Sequence, residues 1–166
     1  NERHLERGNE AFKTAKSGLN MNDKSYVLIL IQSLEKKTKI LDDIIKKNKN
    51  QKEILSSEEF NTEAFEQKKK EKAGLIDELM FLDKGFEDVY ERVKEEIQSN
   101  AEEYSNEIKI MKALIQEITD KSVDVQTDEQ RNKKLAVNKF TFEKKKLKDK
   151  RVSNRVANEY YKKMSK

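Results

Sequence analysis

The chain of 166 residues is long enough for one ordinary domain, with 41% charged residues, 34% hydrophobic residues and a formal net charge of +4. The absence of Cys excludes a disulfide framework, and no apolar run approaches the roughly 18 residues of a membrane span. With no Pro and only four Gly, sustained apolar periodicity favours elongated helices over a compact globule or a disordered chain, and no signal-peptide pattern is present, so we expect an all-α cytoplasmic protein.

Residues 1–20 form an N-terminal extension in our interpretation. Gly8 and Gly18 weaken any helix there, and Met21 followed by Asn-Asp-Lys resembles a natural start. The segment is an upstream extension, a fusion remnant or a mobile arm, and its residues do not decide between these. We assign it no function.

The first long helix is predicted over about residues 23–55, with Asn22 or Asp23 as its N-cap. A heptad seam typical of coiled-coil packing runs through Val27, Leu34, Leu41, Asn48 and Leu55, with Ile31, Thr38, Ile45 and Lys52 four residues further on. Asn48 on this seam has two interpretations. It is either a buried amide that fixes the register or a solvated side chain at a frayed helix end.

A short connection over residues 56–61 leads into a second helix, predicted over about residues 62–98. Because the connection is short, the two helices should be antiparallel neighbours. Asn61 is the candidate N-cap. Phe60 before it and Phe65 after it match the hydrophobic staple, which fixes the direction in which the chain enters the helix.

The second helix has an unusually broad apolar stripe over residues 72–93. Its centre consists of Leu75, Leu79, Leu82, Phe86, Val89 and Val93, and its edge of Ile76, Met80, Tyr90 and Ile97. A helix packed on one side needs a narrower stripe, so we expect this helix to lie between the other two. Gly85 in the same helix indicates either the close approach of another backbone or simple tolerance. Phe81, off the stripe, is a candidate contact point or an ordinary surface hydrophobe.

A turn is predicted near residues 98–102, because Ser99 and Glu102 have the Ser-x-x-Glu spacing of a capping box. The third helix would then begin at residue 101 or 102. The apolar phase continues through this stretch, so the alternative is one continuous helix over residues 62–127, about 100 Å long. We favour the turn, because half of such a helix would find no partner within a monomer.

The C-terminal part of the chain differs in charge from the rest. Residues 131–166 hold 14 Lys and Arg against 3 Asp and Glu, a net +11, whereas the preceding residues sum to −7. A thin apolar stripe continues there through Leu147, Val152, Val156, Tyr160 and Tyr161. The first two helices are too short to cover it. We therefore predict three long helices in an antiparallel coiled-coil-like bundle, with a body over residues 21–135 and an overhanging, basic, partner-binding segment over residues 136–166.

No pattern in the sequence predicts catalysis. The only His is His4, Cys is absent, the Gly residues are scattered, and the carboxylates lie beside Lys on exposed faces. We expect no catalytic residue, no metal and no cofactor, and hence no enzyme. The basic run over residues 144–151 could neutralise nucleic-acid phosphates, touch a membrane surface or dock an acidic protein. Two tyrosines are too few for a base-stacking platform, so we expect no nucleic-acid partner.

The pattern over residues 26–138 resembles the FlgN family of bacterial flagellar export chaperones. Three stretches carry the resemblance: the opening helix YVLILIQSLEKKTKILDDIIKKNKNQKEIL, the connection with its following helix EEFNTEAFEQKKKEKAGLIDEL, and the Asn-containing stretch QTDEQRNKKLAVNKF in the last helix. Together they cover about two thirds of the chain. Residues 1–20 match nothing in the family, and the last residues are more basic than the family pattern.

This resemblance implies a cytoplasmic chaperone of the hook–filament junction proteins. Family members bind the C-terminal helices of these proteins through their own C-terminal segment, and deliver them to the flagellar type III export gate and its ATPase complex. A tyrosine in the C-terminal region of related chaperones docks on the gate, and Tyr160 or Tyr161 is the matching residue here.

Two other classes of protein remain open at this stage. One is a structural coiled-coil subunit that forms a homodimer through the long seams, which the mass in solution would reveal. The other is a helical protein that binds nucleic acid through the basic segment. A steep dependence of binding on salt would reveal that class.

Overall fold

Three long α-helices make up residues 21–165, the part of the chain that the computed structural model describes. Helix α1 spans Met21–Ser56, α2 spans Thr62–Ser99 and α3 spans Ser105–Met164. No strand occurs between residues 21 and 165. The predicted all-α bundle with an overhanging last helix is confirmed. The predicted N-terminal extension, residues 1–20, lies outside the described residues.

Local signals set the start of α2 as predicted. Oδ1 of Asn61 accepts a hydrogen bond from the amide of Ala64 at 3.1 Å, and the ring centroids of Phe60 and Phe65 lie 5.9 Å apart. The cap satisfies one of the free amides of the first turn, and the staple fixes the entry of the chain. The N-cap predicted for the first helix is wrong. Asn22 and Asp23 lie inside α1, and the Asp23 side chain is buried in the bundle.

The predicted turn between the second and third helices is confirmed, at residues 100–104. Asn100 is the C-cap of α2, because its backbone leaves the helical conformation (φ −123°, ψ 39°), while its backbone amide and its side-chain Nδ2 both donate to the carbonyl oxygen of Glu96. Ser99 is therefore the last residue of α2, and the capping box predicted for Ser99 and Glu102 is wrong. The third helix begins at Ser105 rather than at residue 101 or 102.

Helix α1, and not α2, lies between the other two. Its backbone packs against both, whereas no Cα atom of α2 comes within 8 Å of a Cα atom of α3. The prediction of a middle second helix is therefore wrong. Most of the edge of the broad stripe on α2 faces solvent: Ile76 and Met80 remain 45% and 66% exposed, and of the edge residues Ile97 is buried. The buried hydrophobic residues of α1 are Val27, Leu30, Ile31, Leu34, Leu41, Ile44 and Leu55.

Contacts between side chains show that α1 and α2 are antiparallel, as predicted. Lys37 pairs with Asp83 at 2.6 Å, and ten residues further along α1, Lys47 pairs with Glu71 at 3.1 Å. The residue number falls in α2 as it rises in α1. These partly exposed ion pairs add little stability, about 0–1 kcal/mol each, but they mark the register.

Helix α3 runs parallel to α1. Lys121 pairs with Asp42 at 2.9 Å, and Nδ2 of Asn132 donates to the backbone oxygen of Asn48 at 2.9 Å. The residue number rises in both helices. Since α2 is antiparallel to α1, it is also antiparallel to α3.

A buried polar layer joins all three helices at Asn48. Nζ of Lys72 donates to Oδ1 of Asn48 at 2.9 Å and to Oε1 of Glu129 at 2.6 Å, while Asn132 bonds the Asn48 backbone. Asn48 is fully buried, so the frayed-end interpretation is wrong. Lys52, which the heptad pattern also placed on the seam, is exposed. Gln51 faces the interior of the bundle in its place.

Gly85 lies on an open surface of α2. A Cβ atom added there, or at Gly74, would meet no atom within 4 Å. The close approach of another backbone, one of the two interpretations of Gly85, is therefore wrong. Gly85 is tolerated in the helix.

The end of the bundle next to the α2–α3 turn closes around Tyr104. Its ring is buried with Val93 and Ile97, and its hydroxyl oxygen has no hydrogen-bond partner. Burial raises the pKa of Tyr104 to about 12, and the negative charges of Asp23 and Glu96 act in the same direction. Burial also raises the pKa of Asp23 itself.

Candidate partner-binding surface

Helix α3 continues well beyond the ends of its neighbours. Its 60 residues correspond to about 90 Å, against 36 and 38 residues in α1 and α2. Every residue from 144 to 165 is exposed. We call residues 144–165 the free tail. It corresponds to most of the partner-binding segment predicted from the sequence.

The point where the free tail leaves the body is marked by an aromatic cluster. The ring of Phe140 packs edge-on against Phe60 at 5.2 Å and against Phe65 at 6.1 Å between centroids. Next to it, Nζ of Lys139 donates to the backbone oxygen of Ser57 at 2.7 Å. The sequence indicated the Phe60–Phe65 pair, but not its contact with Phe140, which joins residues far apart in the chain.

The five predicted partner-binding residues all lie on the free tail and face solvent. Their exposed fractions are 57% for Leu147, 49% for Val152, 61% for Val156, 63% for Tyr160 and 68% for Tyr161. The only ring contact among them joins Tyr160 and Tyr161, whose centroids are 6.4 Å apart. No part of the body covers these side chains.

The apolar residues of the free tail divide between two faces of the helix. Val152, Val156 and Tyr160 follow one another at steps of four, which keeps them on one face. Met164, 65% exposed, continues the same step and was missed in the sequence prediction, although its spacing signals it. Tyr161 lies about 100° away from Tyr160, on the side of Leu147. We call the face of Val152, Val156, Tyr160 and Met164 the tail stripe.

A second apolar surface lies on the opposite side of the body from α3. Phe81 is 79% exposed and lines a groove of about 580 Å³ between α1 and α2. Ile40 and Leu82 form the apolar floor, while Lys36, Lys39, Asp77 and Glu78 form a rim of both signs. That Phe81 is a contact point stays a prediction. The mixed rim of the groove gives no preference for an acidic or a basic partner.

Between residues 21 and 165 no group of three or more His, Cys, Asp or Glu side chains is placed to hold a metal ion. His4 lies outside the described residues. None of the three helices is long and apolar enough to cross a membrane.

Comparison of the chain with protein-family models, with curated proteins and with solved structures found no match.

Proposed function

We propose that the protein is a cytoplasmic export chaperone that captures an amphipathic helix of its client on the tail stripe. The observation that carries the proposal is the free tail: an apolar stripe on a helix that no other part of residues 21–165 covers. The resemblance of residues 26–138 to the FlgN family supplies the client class, the C-terminal helices of hook–filament junction proteins. The destination would be the flagellar type III export gate with its ATPase complex.

The mechanism is physical and needs no catalysis. When a client helix lies along the tail stripe, the apolar face of the client and the tail stripe are both removed from water. The favourable free energy is about 25 cal/mol per Å² of buried apolar area, before the cost of ordering the two helices is subtracted. A helical tail without partners is marginally stable, so the client also orders the surface that holds it. The covered client helix is kept from premature assembly until export.

The basic residues around the stripe have a secondary role in this proposal. The free tail carries nine Lys and Arg against two acidic residues. Such exposed charges attract an acidic client over a Debye length and raise the association rate more than the affinity. Capture itself depends on the apolar side chains.

The decisive experiment is calorimetric titration of the full chain with the C-terminal fragment of each junction protein. Replacing Val152 and Val156 together by Asp puts two charges on the tail stripe, and we expect the affinity to fall about a hundredfold, from lost burial of two Val side chains. The matched control replaces Asn154 and Asn158 by Asp. It makes the same charge change on the opposite face of the same helix, and should leave the affinity nearly unchanged.

Two results would count against this proposal. If the unaltered chain binds neither fragment, the client class is wrong. If it binds and the Val152→Asp, Val156→Asp variant binds equally well, the capture site is not the tail stripe, and the groove at Phe81 becomes the candidate.

Tyr161 is the candidate residue for docking on the export gate. It lies off the tail stripe, so a bound client helix would leave it in solvent, whereas Tyr160 would be covered. Tyr161→Ala should therefore keep client affinity and lower secretion of the junction proteins, and Tyr160→Ala should weaken capture itself. Equal secretion from the Tyr161→Ala variant and the unaltered chain would rule out this role.

A further inference from the structure

The two ends of the molecule carry opposite charge. Residues 74–107, which form the C-terminal part of α2, the turn and the start of α3, hold 11 acidic and 3 basic residues. The free tail, at the other end of α3, holds nine basic and two acidic residues. We call residues 74–107 the acidic end.

Both ends also expose apolar side chains. On the acidic end, one face of α2 exposes Ile76, Met80 and Tyr90, whose exposed fractions are 45%, 66% and 37%. The tail stripe offers Val152, Val156 and Tyr160. A helix of the charge and shape of the free tail would therefore find both opposite charge and apolar contact on the acidic end.

The free tail cannot reach the acidic end of its own chain. Helix α3 has neither Gly nor Pro between Ser105 and Met164, so nothing in it favours a reversal of direction. Residue 144 lies about 60 Å along the helix axis from Ser105. Only another molecule can bring the two surfaces together.

We propose that two copies of the chain pair side by side with α3 antiparallel, each free tail lying on the acidic end of the other copy. The dimensions agree: the 22 residues of the free tail span about 33 Å, and residues 74–99 of α2 span about 39 Å. Both contacts form at once about a two-fold axis, so the assembly closes as a dimer. Direct pairing of two free tails is disfavoured, because both are strongly basic.

This pairing uses the tail surface that the proposed function gives to a client, but it requires no client. Its test is the mass of the purified full chain in solution. By analytical ultracentrifugation we expect twice the 19.6 kDa of one chain, falling to the mass of a monomer at high salt as the charges are screened. Removal of residues 144–166 should give a monomer at every salt concentration.

Two charge-reversed variants make the test specific. The tail variant replaces Lys144, Lys145 and Lys146 by Glu, and the acidic-end variant replaces Glu87, Asp88 and Glu95 by Lys. All six residues are exposed, and none forms an ion pair within the described chain, so folding should be kept, with circular dichroism as the check. Each variant alone should be a monomer, because like charges would meet at both contacts. Mixed in equal amounts, the two should form a dimer, because both contacts then join opposite charges.

Several results would overturn the proposal. These are a monomeric full chain at low salt, a dimer that persists without residues 144–166, assemblies larger than a dimer, or two variants that stay monomeric when mixed. Client binding by a monomeric chain would leave the proposed function intact while excluding the pairing. A dimer that binds no client would support the pairing and contradict the proposed function.

Discussion

Lys72 shows at the scale of one residue how the three helices are held in register. Its aliphatic stem is buried in the bundle, and its Nζ reaches Asn48 on α1 and Glu129 on α3. Glu129 is 44% exposed, so one carboxylate of the group stays in contact with water and the cost of burying the charge is reduced. A slip of α2 by one helical turn would bury the ammonium group without these acceptors. The layer therefore disfavours other registers.

Gly85 offers a direct gain in stability. Gly85→Ala should raise the free energy of unfolding by about 1 kcal/mol, since Ala restricts the unfolded chain and meets no atom in the folded one. Urea unfolding followed by circular dichroism measures it. Ala73→Gly, also on the exposed face of α2, is the matched control and should lower stability by a similar amount. A less stable Gly85→Ala variant would show that the surface at Gly85 is occupied.

Tyr104 should give the protein a loss of stability at alkaline pH. Its pKa in the folded protein, about 12, lies above the ordinary value of 10, so the folded state holds the phenol proton more tightly. The resulting contribution, about 2 to 3 kcal/mol, is fully present below pH 10 and is lost as the pH rises towards 12.

Tyr104→Phe removes the titrating phenol and leaves every lysine in place. Comparing the variant with the unaltered chain therefore isolates the contribution of Tyr104 from the titration of the lysines. The Tyr104 hydroxyl has no hydrogen-bond partner, so the variant should be as stable as the unaltered chain near neutral pH. In alkaline solution it should become the more stable of the two. Urea midpoints that fall in parallel for both chains across that range would contradict the assignment.

At the scale of the elements, the sequence predicted the helices better than their arrangement. Helix boundaries follow from local signals such as the Asn61 cap and the Phe60–Phe65 staple, and these act within a few residues. The middle position of α1 does not follow from such signals. The width of an apolar stripe indicates how much of a helix surface could be buried, but not which element buries it. On α2 three of the four residues that widened the stripe, Ile76, Met80 and Tyr90, are exposed, whereas Ile97 is buried. The contacts of Lys72 and Phe140 could not be predicted from the sequence either, since each contact joins residues far apart in the chain.

The middle position of α1 can be checked with a pair of matched truncations. Leu41 on α1 is 3% exposed, whereas Leu82 on α2 is half-buried beside the Phe81 groove. Leu41→Ala should cost about 3 to 4 kcal/mol and Leu82→Ala about half as much, because only the first leaves a closed cavity. Equal losses in urea unfolding would mean that the groove beside Leu82 is covered in solution.

At the scale of the whole molecule, the body and the free tail meet at the aromatic cluster. Residues 136–140 belong to the segment that the sequence assigned to partner binding, yet Lys139 and Phe140 contact the connection between α1 and α2. The five tail residues remain a prediction as a binding site. Their exposure is consistent with it, but sequence spacing alone could not show that nothing in the body covers them.

Two fragments locate the physical end of the body. Residues 21–135 and residues 21–143 should both fold as helical bundles, and the longer one should be more stable by about 1 to 3 kcal/mol, since it keeps the Phe140 contacts. Thermal melts followed by circular dichroism compare them. Phe140→Ala in the longer fragment should remove most of the difference. Identical melting of the two fragments would place the end of the body before residue 136.

The unbroken course of α3 makes the free tail a lever arm. Met164 lies about 36 Å along the axis from Phe140, so a tilt of α3 by only 10° at the aromatic cluster would swing the tip by about 6 Å. The position of the tip is therefore set by the fit of Phe140 against Phe60 and Phe65, far from the tip itself. A substitution in the aromatic cluster would displace the tip without touching it.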